Sequence, residues 1–94
     1  MRVGLLTIHI QLYQTKSLKE KRSIIKGLLA DIKRRGPAFA AAEIDDQDNL
    51  RRATIRVAHL SNDPQHTDSV LTRLRTSIES SKDYNVEGYE LEIL

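Results

Sequence analysis

Between Val3 and Leu12 the chain alternates. Leu6, Ile8, Ile10 and Leu12 occupy one parity, and Thr7, His9 and Gln11 the other. A period of two puts successive side chains on opposite faces of an extended backbone, so this segment predicts a half-buried strand. Tyr13–Lys16 is a short connection. Ser17-Leu18-Lys19-Glu20 then has the form of a capping box, a serine cap with glutamate at the third helical position. Behind it Leu18, Ile25, Leu28, Leu29 and Ile32 fall on one stripe of a 3.6-residue period, which predicts a helix. Gly36 suits a left-handed cap and Pro37 forbids continuation, so that helix ends near Arg35.

Phe39–Ile44 is mostly alanine and a weak strand by propensity. Its surroundings assign it. A turn-rich Asp45–Asn49 follows, and then a stronger strand over Arg52–Leu60 carrying Thr54, Ile55 and Val57. Ser61-Asn62-Asp63-Pro64 is a helix start, polar cap before proline, and Thr67, Val70, Leu71, Leu74 and Ile78 form the next apolar stripe. Lys82–Asn85 reads as a loop. Val86–Leu94 alternates again, with Tyr89, Leu91 and Ile93 against Glu90 and Glu92.

The order β-α-β-β-α-β over residues 1–94 predicts an α+β, ferredoxin-like domain: four antiparallel strands with two helices on one face. That topology brings the start of the first helix to the edge where the second strand hands over to the third. Lys16, Lys19, Lys21, Arg22, Arg51 and Arg52 are thereby expected to share an edge with Asp45, Asp46 and Asp48.

Composition narrows the chemistry. The 94 residues contain no cysteine, which excludes disulfides, thiolate metal sites and cysteine nucleophiles and fits the cytoplasm. The first strand is too short and too regularly interrupted for a signal peptide, and no run reaches the length of a membrane span. Net charge is only +2, yet it is unevenly laid out. Gln14–Gly36 holds eight basic residues against Glu20 and Asp31, whereas Glu79–Leu94 holds five acidic residues against Lys82. A basic segment and an acidic one suit an anionic partner or the pairing of two copies.

A glycine in the first strand, Ser17-Leu18-Lys19-Glu20-Lys21-Arg22, Ala42-Glu43, Asp46-Gln47-Asp48, Arg52-Ala53-Thr54, Ser61-Asn62-Asp63 and the closing Glu92-Ile93-Leu94 resemble the YlxP-like bacterial proteins. The likeness spans essentially the whole chain, and the segment Ser17–Arg22 is its most specific part. It implies a ferredoxin-like sandwich and genes often set beside those for ribosome maturation and translation initiation. It implies no catalytic residue.

The candidate chemistry is therefore electrostatic. Lys19, Arg22, Lys26 and Lys33 lie within about 60° on a helical wheel and form a rail that can follow phosphates. With Lys16, Arg51 and Arg52 they are the expected contacts for ribosomal RNA or a ribosomal particle. Lys21 falls inside the apolar stripe and is expected either to snorkel past the sheet end or to pair with Asp46 or Asp48. The third strand carries no aromatic, so bases are not expected to stack on the open face, where His9 and Arg56 are the best polar candidates. Nothing resembles an acylphosphatase loop, since Gln14–Ser17 lacks the glycines of a phosphate cradle. His9, His59 and His66 are too scattered for a metal, and Ser17 is already used as a cap, so neither metal, cofactor nor enzyme activity is expected. The alternative expectation is a homodimeric protein-interaction or small-ligand regulatory module, with Val3 and Leu5 adding apolar area to the open face.

Overall fold

The alternating run becomes β1, Arg2–Leu12, in a computed structural model that describes residues 1–94. It is followed by α1 (Leu18–Lys33), β2 (Phe39–Asp45), β3 (Arg52–Ser61), α2 (Pro64–Glu79) and β4 (Tyr84–Ile93). The strands form one antiparallel sheet in the order β2-β3-β1-β4 with both helices on one face, as the ferredoxin-like arrangement requires.

The period of two decides the core. Leu6, Ile8, Ile10 and Leu12 are at most 1% exposed and meet Ile55 and Val57 of β3 beneath Ile25, Leu28 and Ile32 of α1 and Leu71, Leu74 and Ile78 of α2. Both helix starts follow their caps. Ser17 Oγ accepts from the Glu20 N–H at 3.1 Å, and Asp63 Oδ1 accepts from the Gln65 N–H at 3.0 Å. Gly36, at φ 155°, supplies the conformation that turns the chain from α1 toward β2.

Gly4 has a different task. It sits on the helix-covered face of β1, where an added Cβ would lie 2.3 Å from Thr67 Cγ2 and 2.7 Å from Leu71 Cδ1. The glycine lets α2 lie directly on the sheet.

Two boundaries differ from expectation. β4 begins at Tyr84, inside the segment read as a loop, and Tyr84 is a core residue. The cause is a bulge: His9 pairs with Gly88 while Ile10 pairs with Val86, leaving Glu87 as the extra residue. A bulge shifts side-chain parity by one, so Tyr84 and Val86 share the inner face with Tyr89, Leu91 and Ile93, and the sequence alternation is broken across it. A second irregularity between Glu43 and Asp45 extends β2 by one residue and leads into Asp46, whose φ of 62° is positive.

Candidate functional site

The basic rail forms on α1. Residues Lys21, Ile25, Leu28 and Ile32 are the buried side of that helix. Its flank toward α2 carries Arg35, just past the helix end, whose Nη2 donates to Ser77 Oγ at 2.9 Å. Lys19, Arg22, Lys26 and Lys33 lie on the opposite flank, on the side of the β2 edge, and all four are exposed. None of them makes an ion pair, and neither does Lys16 or Arg51. Arg51 and Lys16 meet Tyr13, Gln14 and Glu20 in a shallow depression at the start of the helix, where Arg51 Nη1 donates to the Tyr13 carbonyl at 3.2 Å. The loop from β2 to β3 does close on this end of α1, as the topology predicts: the Leu12 N–H donates to the Arg51 carbonyl at 2.8 Å, and Thr15 Oγ1 donates to the Leu50 carbonyl.

Arg52 is separated from that group. It shares a face with Thr54, away from the helices, and its guanidinium lies 3.6 Å from Glu87. The expectation that it adjoins Lys16 and Lys19 is corrected by the pleat, because Arg51 and Arg52 project to different sides.

Lys21 is also corrected. It is fully buried, and its partner is not the carboxylate of Asp46 or Asp48 but that of Glu43, 3.1 Å away. Its Nζ donates further to the Asp46 carbonyl at 2.5 Å and faces the Gln47 carbonyl at 3.5 Å. Asp46 therefore contributes backbone, and Asp48 makes no ion pair with the lysine. Glu43 follows Phe39 and Ala41 on the inner parity of β2, so a carboxylate points under α1. The lysine is legible in sequence as a break in the apolar stripe of the helix, whereas the inward glutamate is not, because an alanine-rich strand scarcely shows its parity. Each explains the other.

The open face has two unlike halves. Val3, Leu5, Ala40, Ala58 and Leu60 make one end apolar, with Leu60 43% exposed. The other end is polar. Arg56 Nε donates to Thr7 Oγ1 at 3.0 Å and covers that threonine. His9 Nε2 faces the two Glu90 oxygens at 3.2 and 3.3 Å, and its Nδ1 lies 3.4 Å from Thr54 Oγ1, which also lies 3.4 Å from Asp46 Oδ2. The order hydroxyl, imidazole, carboxylate resembles a nucleophile and its base. Thr54, however, is 4% exposed, and its hydroxyl donates to Asp46 Oδ2 while lying against His9. The arrangement works as a hydrogen-bonded seam across three strands. His9 and Arg56 thus lie on the open face as anticipated, and both are already bonded there.

At the far end from Ser17, a cleft of about 490 Å³ opens between the Gly36–Phe39 turn and α2. Arg35, Arg73, His59 and His66 line it, and no carboxylate does. The His59 and His66 ring centroids are 5.8 Å apart, and Phe39 packs on His59 at 4.7 Å. Burial first, and then the neighbouring His66, hold the His59 imidazole below its ordinary value. Three histidines that look scattered in sequence thus include one adjacent pair. No group of three or more His, Cys, Asp or Glu side chains is placed to hold a metal ion.

The family model described as "Protein of unknown function (DUF503)" matches residues 3–91. No curated protein matches the chain. Among solved structures, one titled "De novo designed protein Foldit4" is similar over 98% of this chain and 96% of its own, with a TM-score of 0.57 and 18% identity. A likeness at that identity concerns the fold alone. No helix is long and apolar enough to cross a membrane.

Proposed function

The chain belongs to the DUF503 family, and from that premise we propose that it is a non-catalytic module that binds structured RNA, with ribosomal RNA or a ribosomal particle as its target. The observation that carries this reading is the rail of Lys19, Arg22, Lys26 and Lys33, exposed along one flank of α1 and not neutralised by any ion pair. From Lys19 to Lys33 the helix advances about 21 Å, long enough to follow several consecutive phosphates. Lys16 and Arg51 extend the rail at the helix start. Arg52, engaged with Glu87 on the other face, is left out of the contact set. Lysine and arginine on phosphates give affinity and orientation without base recognition. The motif Ser17–Arg22 supports kinship with the YlxP-like proteins, whose ribosomal gene context agrees with this target and with work in the cytoplasm.

Six phosphate contacts correspond to a loss of about thousandfold in affinity between roughly 50 and 200 mM salt. Titration of a fluorescent ribosomal RNA fragment at the two salt concentrations is expected to show that loss. The triple variant Lys19→Glu, Arg22→Glu, Lys26→Glu is expected to abolish binding while the thermal transition stays in place. Salt-insensitive binding, or binding unchanged in the variant, would overturn the proposal.

A second reading, a homodimer, is favoured by the apolar half of the open face around Val3, Leu5 and Leu60. Its consequences belong to the molecule as a whole and are argued at that scale below.

A further inference from the structure

The geometry points to a second binding site, independent of the α1 rail: the cleft between the Gly36–Phe39 turn and α2 takes a phosphorylated ligand of mononucleotide size. Its volume, about 490 Å³, lies within the range of small-molecule sites. Two features define the chemistry, an unbalanced set of cations and a wall of rings.

The cations come from both sides of the cleft. Arg35 reaches in from the end of α1, and its bond to Ser77 Oγ at 2.9 Å holds the guanidinium while leaving other N–H groups unspent. Arg73 stands opposite on α2, is exposed, and makes no ion pair. Two guanidinium forks across a gap match the paired oxygens of a phosphate, which a single ammonium does not. His66 lies in the first turn of α2, behind Pro64 and the Asp63 cap, whose carboxylate accepts from the Gln65 N–H and does not line the cleft. With no carboxylate in the lining, nothing in the cleft competes for the arginines.

The rings lie deeper. Phe39 and His59 pack at 4.7 Å with planes 56° apart, and His66 meets His59 edge-on at 5.8 Å. Pro37 and Val70 complete an apolar wall on which a planar base can stack. His59 is 4% exposed and lies at the floor, while Arg35 also reaches Ser77 in the last turn of α2. The size of the cleft favours a small ligand over a polymer.

The test is an amide-shift titration of the folded protein with adenosine monophosphate, with inorganic phosphate and adenosine as separate probes. Saturable shifts are expected at Gly36, Ala38, His66 and Arg73 with the nucleotide, and weaker binding with either half alone. Arg73→Ala, which breaks no bond in the structure, is expected to weaken the nucleotide by about tenfold or more, as for one charge-assisted contact. Arg35→Ala with Arg73→Ala is expected to abolish it, and Lys19→Glu with Lys26→Glu to leave it unchanged. No saturable shift in the cleft, full affinity in Arg73→Ala, phosphate binding as tightly as the nucleotide, or shifts confined to α1 would each overturn the assignment.

Discussion

A lysine with no exposed surface is costly unless its charge is met, and Lys21 is met three times. Glu43 neutralises it, and the Asp46 and Gln47 carbonyls take its remaining protons. This one side chain ties α1, β2 and the loop that follows into a single unit. Removing one partner of a buried pair leaves the other charged and unpaired, at about 3–5 kcal/mol. Lys21→Ala and Glu43→Ala are therefore each expected to lower unfolding free energy by about that amount in urea titrations. The double variant Lys21→Met, Glu43→Leu removes both charges and is expected to regain most of the loss. It should retain a deficit of about 1 kcal/mol for each backbone carbonyl left without a donor. If the double variant falls as far as the sum of the singles, the two side chains are not coupled. The sequence revealed that Lys21 was inward but not whom it met. A turn full of aspartates, Asp46 and Asp48 among them, hides a glutamate one strand earlier. The pairing needed the parity of β2, which an alanine-rich strand scarcely prints.

Elements were more legible than contacts. Both helices start at the caps read from sequence, because serine and aspartate side chains satisfy first-turn N–H groups by local geometry alone. The start of β4 is not legible in sequence because a bulge is a tertiary event: Glu87 becomes the extra residue only when Gly88 and Val86 pair with consecutive residues of β1. The seat of α2 on the sheet lies between these cases. Gly4 was visible as a glycine in a strand, but its reason is Thr67, whose methyl group occupies the space a Cβ would need. That methyl cannot swing aside, since the Thr67 hydroxyl is held by His59 Nδ1 at 3.1 Å and Ser61 Oγ at 2.8 Å. Leu71, the other close neighbour, is itself fully buried in the core. Gly4→Ala is expected to destabilise by about 1–3 kcal/mol through overpacking. Adding Thr67→Ser deletes the methyl and keeps the hydroxyl, and is expected to recover part of the loss. Thermal melts of the three variants decide it, and a Gly4→Ala protein as stable as the parent would mean α2 moves freely on the sheet.

Across the whole molecule, charge and apolar surface are sorted by position. The basic flank of α1 lies toward the β2 edge, and Glu87, Glu90 and Glu92 run along β4 at the other edge. Between them the open face is apolar at the Val3–Leu60 end and tied up by hydrogen bonds at the His9–Thr54 end. Two routes to self-association follow, and salt separates them. Pairing of two apolar ends about a two-fold axis buries less than the roughly 800 Å² per partner of a stable complex, because the patch is only a few side chains wide. Such a dimer is expected to be concentration-dependent, to persist or strengthen as salt rises, and to vanish in Leu60→Glu. Sedimentation velocity across a concentration series, at low and high salt, measures all three. Association that instead weakens with salt and survives Leu60→Glu would set the acidic β4 edge of one copy against the basic flank of another, a head-to-tail contact that does not close on itself. That second contact would occupy the very lysines that RNA requires, so RNA would dissolve it, whereas the apolar dimer leaves α1 exposed and doubles the rail. Adding the RNA fragment to the same sedimentation experiment should accordingly leave an apolar dimer intact and carry two RNA molecules per dimer. A monomer at every concentration and salt would remove the dimer and leave the rail to act alone.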